Sequence, residues 1–149
     1  MRQMMALVVL LLSGLVAAHA GEGFPLQIGV YPPVQLVPEH ISVRGLRLNL
    51  PLSENDHLVG LDLGLASRTG DTEALQVNLY NVVYGEMTGL QAGLLNTVGS
   101  GNGLQLGLLN HVNTVFSGIQ VSLINIANEV TGSQIGVINR AQYLTGLQI

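Results

Sequence analysis

From residue 45 onward, apolar and polar residues alternate in short bursts that recur along the chain. Aligned on a glycine, the bursts read GLRLNLPL, GLDLGLAS, ALQVNLYN, GLQAGLLN, GLQLGLLN, GIQVSLIN, GSQIGVIN and a final GLQI. They begin at Gly45, Gly60, Ala74, Gly89, Gly103, Gly118, Gly132 and Gly146, with steps of 15, 14, 15, 14, 15, 14 and 14 residues. Self-similarity at a fixed period marks a repeat architecture. Counting from the glycine, positions 2, 4 and 6 are nearly always apolar, and position 3 is Gln at 76, 91, 105, 120, 134 and 148. Period-two alternation is the strand signature, not the helical one. Position 8 is Asn in five consecutive copies: Asn81, Asn96, Asn110, Asn125 and Asn139.

The pattern predicts an all-β repeat protein, foremost a parallel β-solenoid with one coil of 14–15 residues per repeat. In-register stacking at about 4.8 Å would set identical residues above one another. Leucines at positions 2, 4 and 6 are expected to fill the core, and the Asn column to form a ladder satisfying turn backbone groups. The alternative is an antiparallel β-meander or small up-and-down β-barrel with one strand per repeat. Linkers alternating between two lengths, with Arg68–Glu73 and Thr97–Asn102 as polar turns, would suit such a sheet. As an outer-membrane barrel it would want longer strands and aromatic girdles. The chain has only 4 Tyr and 2 Phe.

Met1 to Ala20 has the pattern of a secretory signal peptide: Arg2, an apolar run from Ala6 to Val16, and Ala18-His19-Ala20 as a cleavage site. Residues 21–44 are expected to form an irregular leader or cap, because Pro32, Pro33 and Pro38 interrupt strand pairing. PLQIGVYP from Pro25 resembles a degenerate first copy. Residues 45–149 form the β-repeat domain, with seven full repeats and one partial. Gly146–Ile149 is either a short final strand or the end of a truncated chain, and the C-terminal edge is left open between the two, since an uncovered edge invites pairing with another chain.

Composition removes several classes. With 5 Lys+Arg against 9 Asp+Glu, a formal charge of −4, no basic cluster exists for nucleic acid. The absence of Cys excludes disulfides, thiolate metal sites and a lipid-anchored N-terminus. A content of 48% hydrophobic and 9% charged residues opposes disorder.

The GLQxGLxN repeat, behind a signal-like leader and a GLRLNL opening, resembles a family of bacterial secreted, surface-repeat-containing proteins. The match covers residues 45–149 well and the leader loosely. The resemblance implies an exported envelope protein located in the periplasm, outer membrane or cell surface of a Gram-negative bacterium. It brings no activity, cofactor or catalytic residue with it.

The chemistry-bearing residues are sparse. Ser53-Glu54-Asn55-Asp56-His57, with Asp62 nearby, is read as a solvated loop rather than a metal or acid–base site, since one loop gives too few convergent ligands. Asp71, Glu73, Glu86 and Glu129 fall in linkers, and no acid recurs at one repeat position as a calcium solenoid requires. Gly99-Ser100-Gly101-Asn102-Gly103 is a turn, since the chain has no lysine for a phosphate loop. No catalytic, metal or cofactor site is expected, so the chain is read as non-enzymatic. What remains is a surface. With position 2, 4 and 6 side chains inside, position 3, 5 and 7 side chains would face out, the last as a stripe of Tyr80, Leu95, Leu109, Ile124 and Ile138. That stripe is a candidate for self-association, an envelope protein partner or outer-membrane contact.

Overall fold

The computed structural model describes residues 23–32 and 34–149. Residues 1–20, expected as a signal peptide, lie outside the described residues. The strands are β1 (Phe24–Tyr31), β2 (Val34–Gln35), β3 (Val43–Ala92), β4 (Leu95–Leu106), β5 (Leu109–Val121), β6 (Ile124–Ile135) and β7 (Ile138–Gln148). They form one sheet in the order β2-β1-β3-β4-β5-β6-β7. Every contact from β1 to β7 through β3 is parallel, and only the short β2 runs antiparallel, against β1. The chain is a parallel β-solenoid, and the antiparallel meander and the barrel are set aside.

Register follows the repeat. Gly89 pairs with Gly103, Gly103 with Gly118, Gly118 with Gly132 and Gly132 with Gly146. The sequence step of 14 or 15 residues is therefore one turn of the coil. Where a turn has the extra residue, the register shifts between Val83 and Glu86 or between Val98 and Gly101. A straight strand of 50 residues, the length of β3, would reach about 165 Å. Instead β3 winds through successive coils without a break.

Glycine at position 1 is a steric requirement. Gly118 has φ +139°, and a Cβ there would stand 2.0 Å from the Gly103 carbonyl oxygen. Only glycine reaches that conformation cheaply and allows so close a backbone approach. Ala74 takes the place in one coil, and no described non-glycine residue has positive φ.

The interior overturns the expected assignment of faces. Gln76, Gln91, Gln105, Gln120 and Gln134 are fully buried, as are Asn96, Asn110 and Asn125. Leucines at positions 2, 4 and 6 point outward. Leu75 is 43% exposed, Leu79 43%, Leu108 48% and Leu123 53%. The expectation that the leucine columns fill the core and the Gln column faces water is thus reversed. The inversion happens at the corner. In the later coils the chain turns at Gly93-Leu94, Gly107-Leu108, Ser122-Leu123 and Gly136-Val137, between strands. Positions 6 and 7 both point out there, so positions 3 and 5 lie inside before the corner and 8 and 10 after it.

Arg68–Glu73 and Thr97–Asn102, expected as turns, are also strand. Within them Thr69, Thr72 and Val98 are buried. The apolar core is small and split. One cluster holds Val83, Met87, Val98, Val112, Phe116, Ala127 and Val130. Gly101 sits in register with Met87 and Phe116, and a Cβ on it would lie 2.9 Å from the Phe116 ring, so this small residue makes room for a large one. The second cluster, Phe24, Val37, Val43, Leu58 and Ala74, lies at the N-terminal end, where Phe24–Tyr31, expected within an irregular leader, is instead a strand in parallel register with β3.

Thr69 occupies repeat position 10, held in later coils by Val83, Val98 and Val112. Its buried hydroxyl has no hydrogen-bond partner. Thr69→Val keeps the shape and removes an unsatisfied buried group. It is expected to stabilise the fold by about 1 kcal/mol, measured as a raised chemical-denaturation midpoint at unchanged slope. A lowered midpoint would show that the hydroxyl is satisfied in solution.

Candidate functional site

Two amide ladders run through the interior and decide what is left outside. In the first, each Gln side chain donates to the one in the preceding coil. Gln91 donates to Gln76 at 2.9 Å, Gln105 to Gln91 at 2.9 Å, Gln120 to Gln105 at 2.7 Å and Gln134 to Gln120 at 2.9 Å. Gln148 continues the series onto Gln134. In the second, donation runs the other way. Asn81 donates to Asn96 at 2.9 Å, Asn96 to Asn110 at 2.8 Å, Asn110 to Asn125 at 3.0 Å and Asn125 to Asn139 at 2.8 Å. The second hydrogen of each Asn amide goes to a corner carbonyl of the next coil: Ala92, Leu106, Val121, Ile135 and Ile149 in turn. Burying an amide costs free energy unless it is hydrogen-bonded. In-register stacking bonds every amide to its own copy above and below, so a polar column is stable inside.

The ladders meet at one carboxylate. The first donor of the Gln ladder, Gln76 Nε2, has no Gln before it and instead donates to Asp62 Oδ2 at 3.0 Å. Asn81 accepts from Asn78 at 2.8 Å, and Asn78 Nδ2 also reaches Asp62 Oδ2 at 3.2 Å. Asn49 donates to Asp62 Oδ1 at 2.6 Å. The charge is balanced by Arg47, whose Nε and Nη2 bond Asp62 Oδ1 and Oδ2 at 3.0 and 2.8 Å, both side chains fully buried. The remaining guanidinium hydrogens go to the Ser67 hydroxyl, the Arg68 carbonyl at 3.2 Å and Asn55 Oδ1 at 3.4 Å.

Burial pushes the Asp62 carboxyl up. The Arg47 charge, together with hydrogen bonds from Arg47, Ser67 and Asn49, outweighs burial and holds its pKa below the ordinary carboxylate range. Asp62 is therefore an internal terminus for the ladders. The segment Ser53–His57, expected as a solvated loop, is strand with Ser53 and Asn55 buried, and Asn55 ties the leader down through the Pro38 and Ile41 carbonyls.

With the interior filled by amides, the aliphatic columns become the surface. From Gly45 on, positions 2, 4, 6 and 7 carry no charged residue in any repeat, and position 4 is aliphatic throughout. Of the expected position 7 stripe, Tyr80 is 48%, Leu95 39% and Ile138 56% exposed, while Leu109 and Ile124 are half-buried. The stripe is one edge of a wider slab that continues over columns 6, 4 and 2. The exposed charges of residues 45–149 lie on the opposite half: Asp56, His57, Arg68, Asp71, Glu73, Glu86, Glu129 and Arg140, while Glu39, His40 and Arg44 are exposed ahead of the first repeat. An apolar surface this contiguous is the mark of an interaction face. The slab was missed in the sequence because alternation does not say which parity is inside.

The polar half holds a shallow groove of about 330 Å³ lined by His57, Leu58, Val59, Asp71, Thr72, Glu73, Glu86 and Thr88. His57 Nδ1 lies 3.5 Å from Asp71 Oδ2, both half-exposed. Asp71 also accepts the Glu86 backbone N–H at 2.8 Å. Among the described residues no group of three or more His, Asp or Glu is placed to hold a metal ion.

Asp62→Asn leaves the Arg47 charge buried without its counter-ion and is expected to cost about 3–5 kcal/mol. The double variant Arg47→Gln/Asp62→Gln extends the Gln column and should lose less than the two single changes summed, as a double-mutant cycle by chemical denaturation will show. Because the folded carboxyl is depressed, its stabilisation is complete above the unfolded carboxylate pKa. It is lost as pH falls from there through the lower folded value. Asp62→Asn should therefore flatten the acid limb of the stability–pH curve; an unchanged limb would assign acid sensitivity to other carboxylates.

Compared with protein-family models, with curated proteins and with solved structures, the chain matches none of them.

Proposed function

We propose that the chain is an exported, non-enzymatic repeat protein of the bacterial cell envelope or surface, acting as a structural or interaction module. The observation that carries this function is the uncharged aliphatic half-surface, set opposite a half that bears the exposed charges of the repeats. Water-exposed aliphatic columns at these positions have no folding role, because the amide ladders and the two apolar clusters already fill the interior. Their regularity is explained by a partner that covers them. The signal-like leader and the surface-repeat resemblance support export.

Fractionation of a Gram-negative host expressing the full chain tests both parts. Mass spectrometry is expected to find the mature chain beginning at Gly21, recovered with the envelope and released by a urea wash. Leu108→Asn with Leu123→Asn, two exposed positions of column 6, should shift the protein to the soluble periplasmic extract without altering its circular dichroism. An uncleaved cytoplasmic chain would overturn export. An unchanged distribution of the variant would overturn the interaction surface.

A further inference from the structure

The occupant of the aliphatic slab is a second copy of this chain: we infer that two solenoids pack face to face through columns 2, 4 and 6. The inference rests on the interaction-module function proposed above and names its partner.

Three observations carry it. The first is area. The rows run from Leu26, in register with Leu46, to Leu147, nine rows along the stack. At about 4.8 Å per coil they extend about 38 Å, and columns 2 to 6, four steps of about 3.3 Å, span about 13 Å. The footprint is about 500 Å² per copy and about 1,000 Å² per pair, the area a well-matched biological interface has to reach.

The second is charge. A lipid-facing surface is rimmed with Lys, Arg, Trp and Tyr. This chain has no Lys and no Trp, Tyr80 stands at the slab's edge, and Asp56, Asp71, Glu73, Glu86 and Glu129 are exposed on the other half and outnumber Arg68 and Arg140 there. An acidic half repels anionic headgroups. In a face-to-face pair the two acidic halves point away from each other, so like charges are kept apart.

The third is spacing. Ridges of Leu, Val and Ile that recur at the coil rise interdigitate best with ridges of the same rise, and a second copy carries them by construction. An interface of one patch against itself is the isologous contact that closes a dimer.

The chain lacks Cys, so one introduced thiol reports on one place. Ser133→Cys puts it in column 2, and Asn128→Cys puts it on the polar half, where Asn128 is exposed. The mature protein, purified without detergent, is expected to sediment at twice the mass of one chain. A bulky maleimide should label Cys at 133 at least tenfold more slowly than Cys at 128. Dilution below the dissociation constant should abolish the difference. Ile119→Asp, at an exposed position of column 2, should give a monomer with the parent's circular dichroism. The thiol comparison stands if that variant does not fold.

A monomeric parent with both thiols equally reactive overturns the dimer, as does a dimer that Ile119→Asp leaves intact. Co-sedimentation with neutral phosphatidylcholine vesicles, with the 133 thiol protected only there, would assign the slab to lipid instead. If the purified protein is a monomer but the 133 thiol is protected in the envelope fraction, the dimer fails and the interaction module survives. If the thiol reacts freely in that fraction too, both fail.

Discussion

The structure depends on the need of a buried amide for two partners in the right places. A lone Gln inside a narrow coil would cost more than it returns, because its desolvated N–H and C=O groups would go unmet. A column of Gln at one repeat position removes that cost if the coils are in register, since each amide is donor to one neighbour and acceptor from the other. The requirement then works backwards on the fold. Gln91, Gln105 and Gln120 bond as they do only if Gly89, Gly103 and Gly118 stack. A slip of one residue would break the whole column at once and turn every side chain to the other face. Apolar packing, which tolerates near misses, does not specify register so sharply.

A ladder also needs an end. The Gln column runs its donors toward the N-terminus and the Asn column toward the C-terminus. The N-terminal end of the Gln column therefore lacks an acceptor, and a carboxylate, which only accepts, supplies it. Asp62 takes the Gln76 donor, and Asn78 links the Asn column to the same oxygen. Arg47 then follows from Asp62, because an unpaired carboxylate at that depth would not stay ionised. The one buried ion pair among the described residues is thus a consequence of where the amide columns stop.

Much of this was legible in the chain. The 14–15-residue step fixed the coil, and parallel stacking followed from identical residues at identical positions. The parity of the faces was not legible, because period-two alternation is symmetric between inside and outside. The usual prior, leucine in and glutamine out, chose wrongly. A signal was present nonetheless. Position 3 holds Gln in six copies, while positions 2 and 4 drift among Leu, Val, Ile, Ala and Ser. A solvated position has no reason to stay identical, whereas a ladder fails if one rung changes shape. The adjacent apolar pair at positions 6 and 7 was the second signal, since two neighbours on a strand cannot both face in. Asp62 was hidden for a different reason. Its partners Arg47, Asn49, Gln76 and Asn78 are 13 to 16 residues away, one coil in either direction. Only a worked-out register brings them together.

The same inversion links the interior to the surface. A coil of 14 or 15 residues has room for only a few inward side chains, and the amides take a large share of it. The aliphatic residues that the repeat still carries then have one place left, the outside. Solubility alone would favour Ser, Thr or Lys there, and the polar half shows that the chain accepts Thr97, Thr114 and Glu129 at outward positions. Aliphatic residues in unbroken columns on one half, against the scattered Val115 and Leu144 on the other, are therefore not a by-product of strand propensity, which Thr would meet as well. Register, set by the interior amides, arrays them in straight rows, and straight rows of equal spacing are what a flat partner with the same periodicity can fit. The polar interior makes this surface regular as well as apolar.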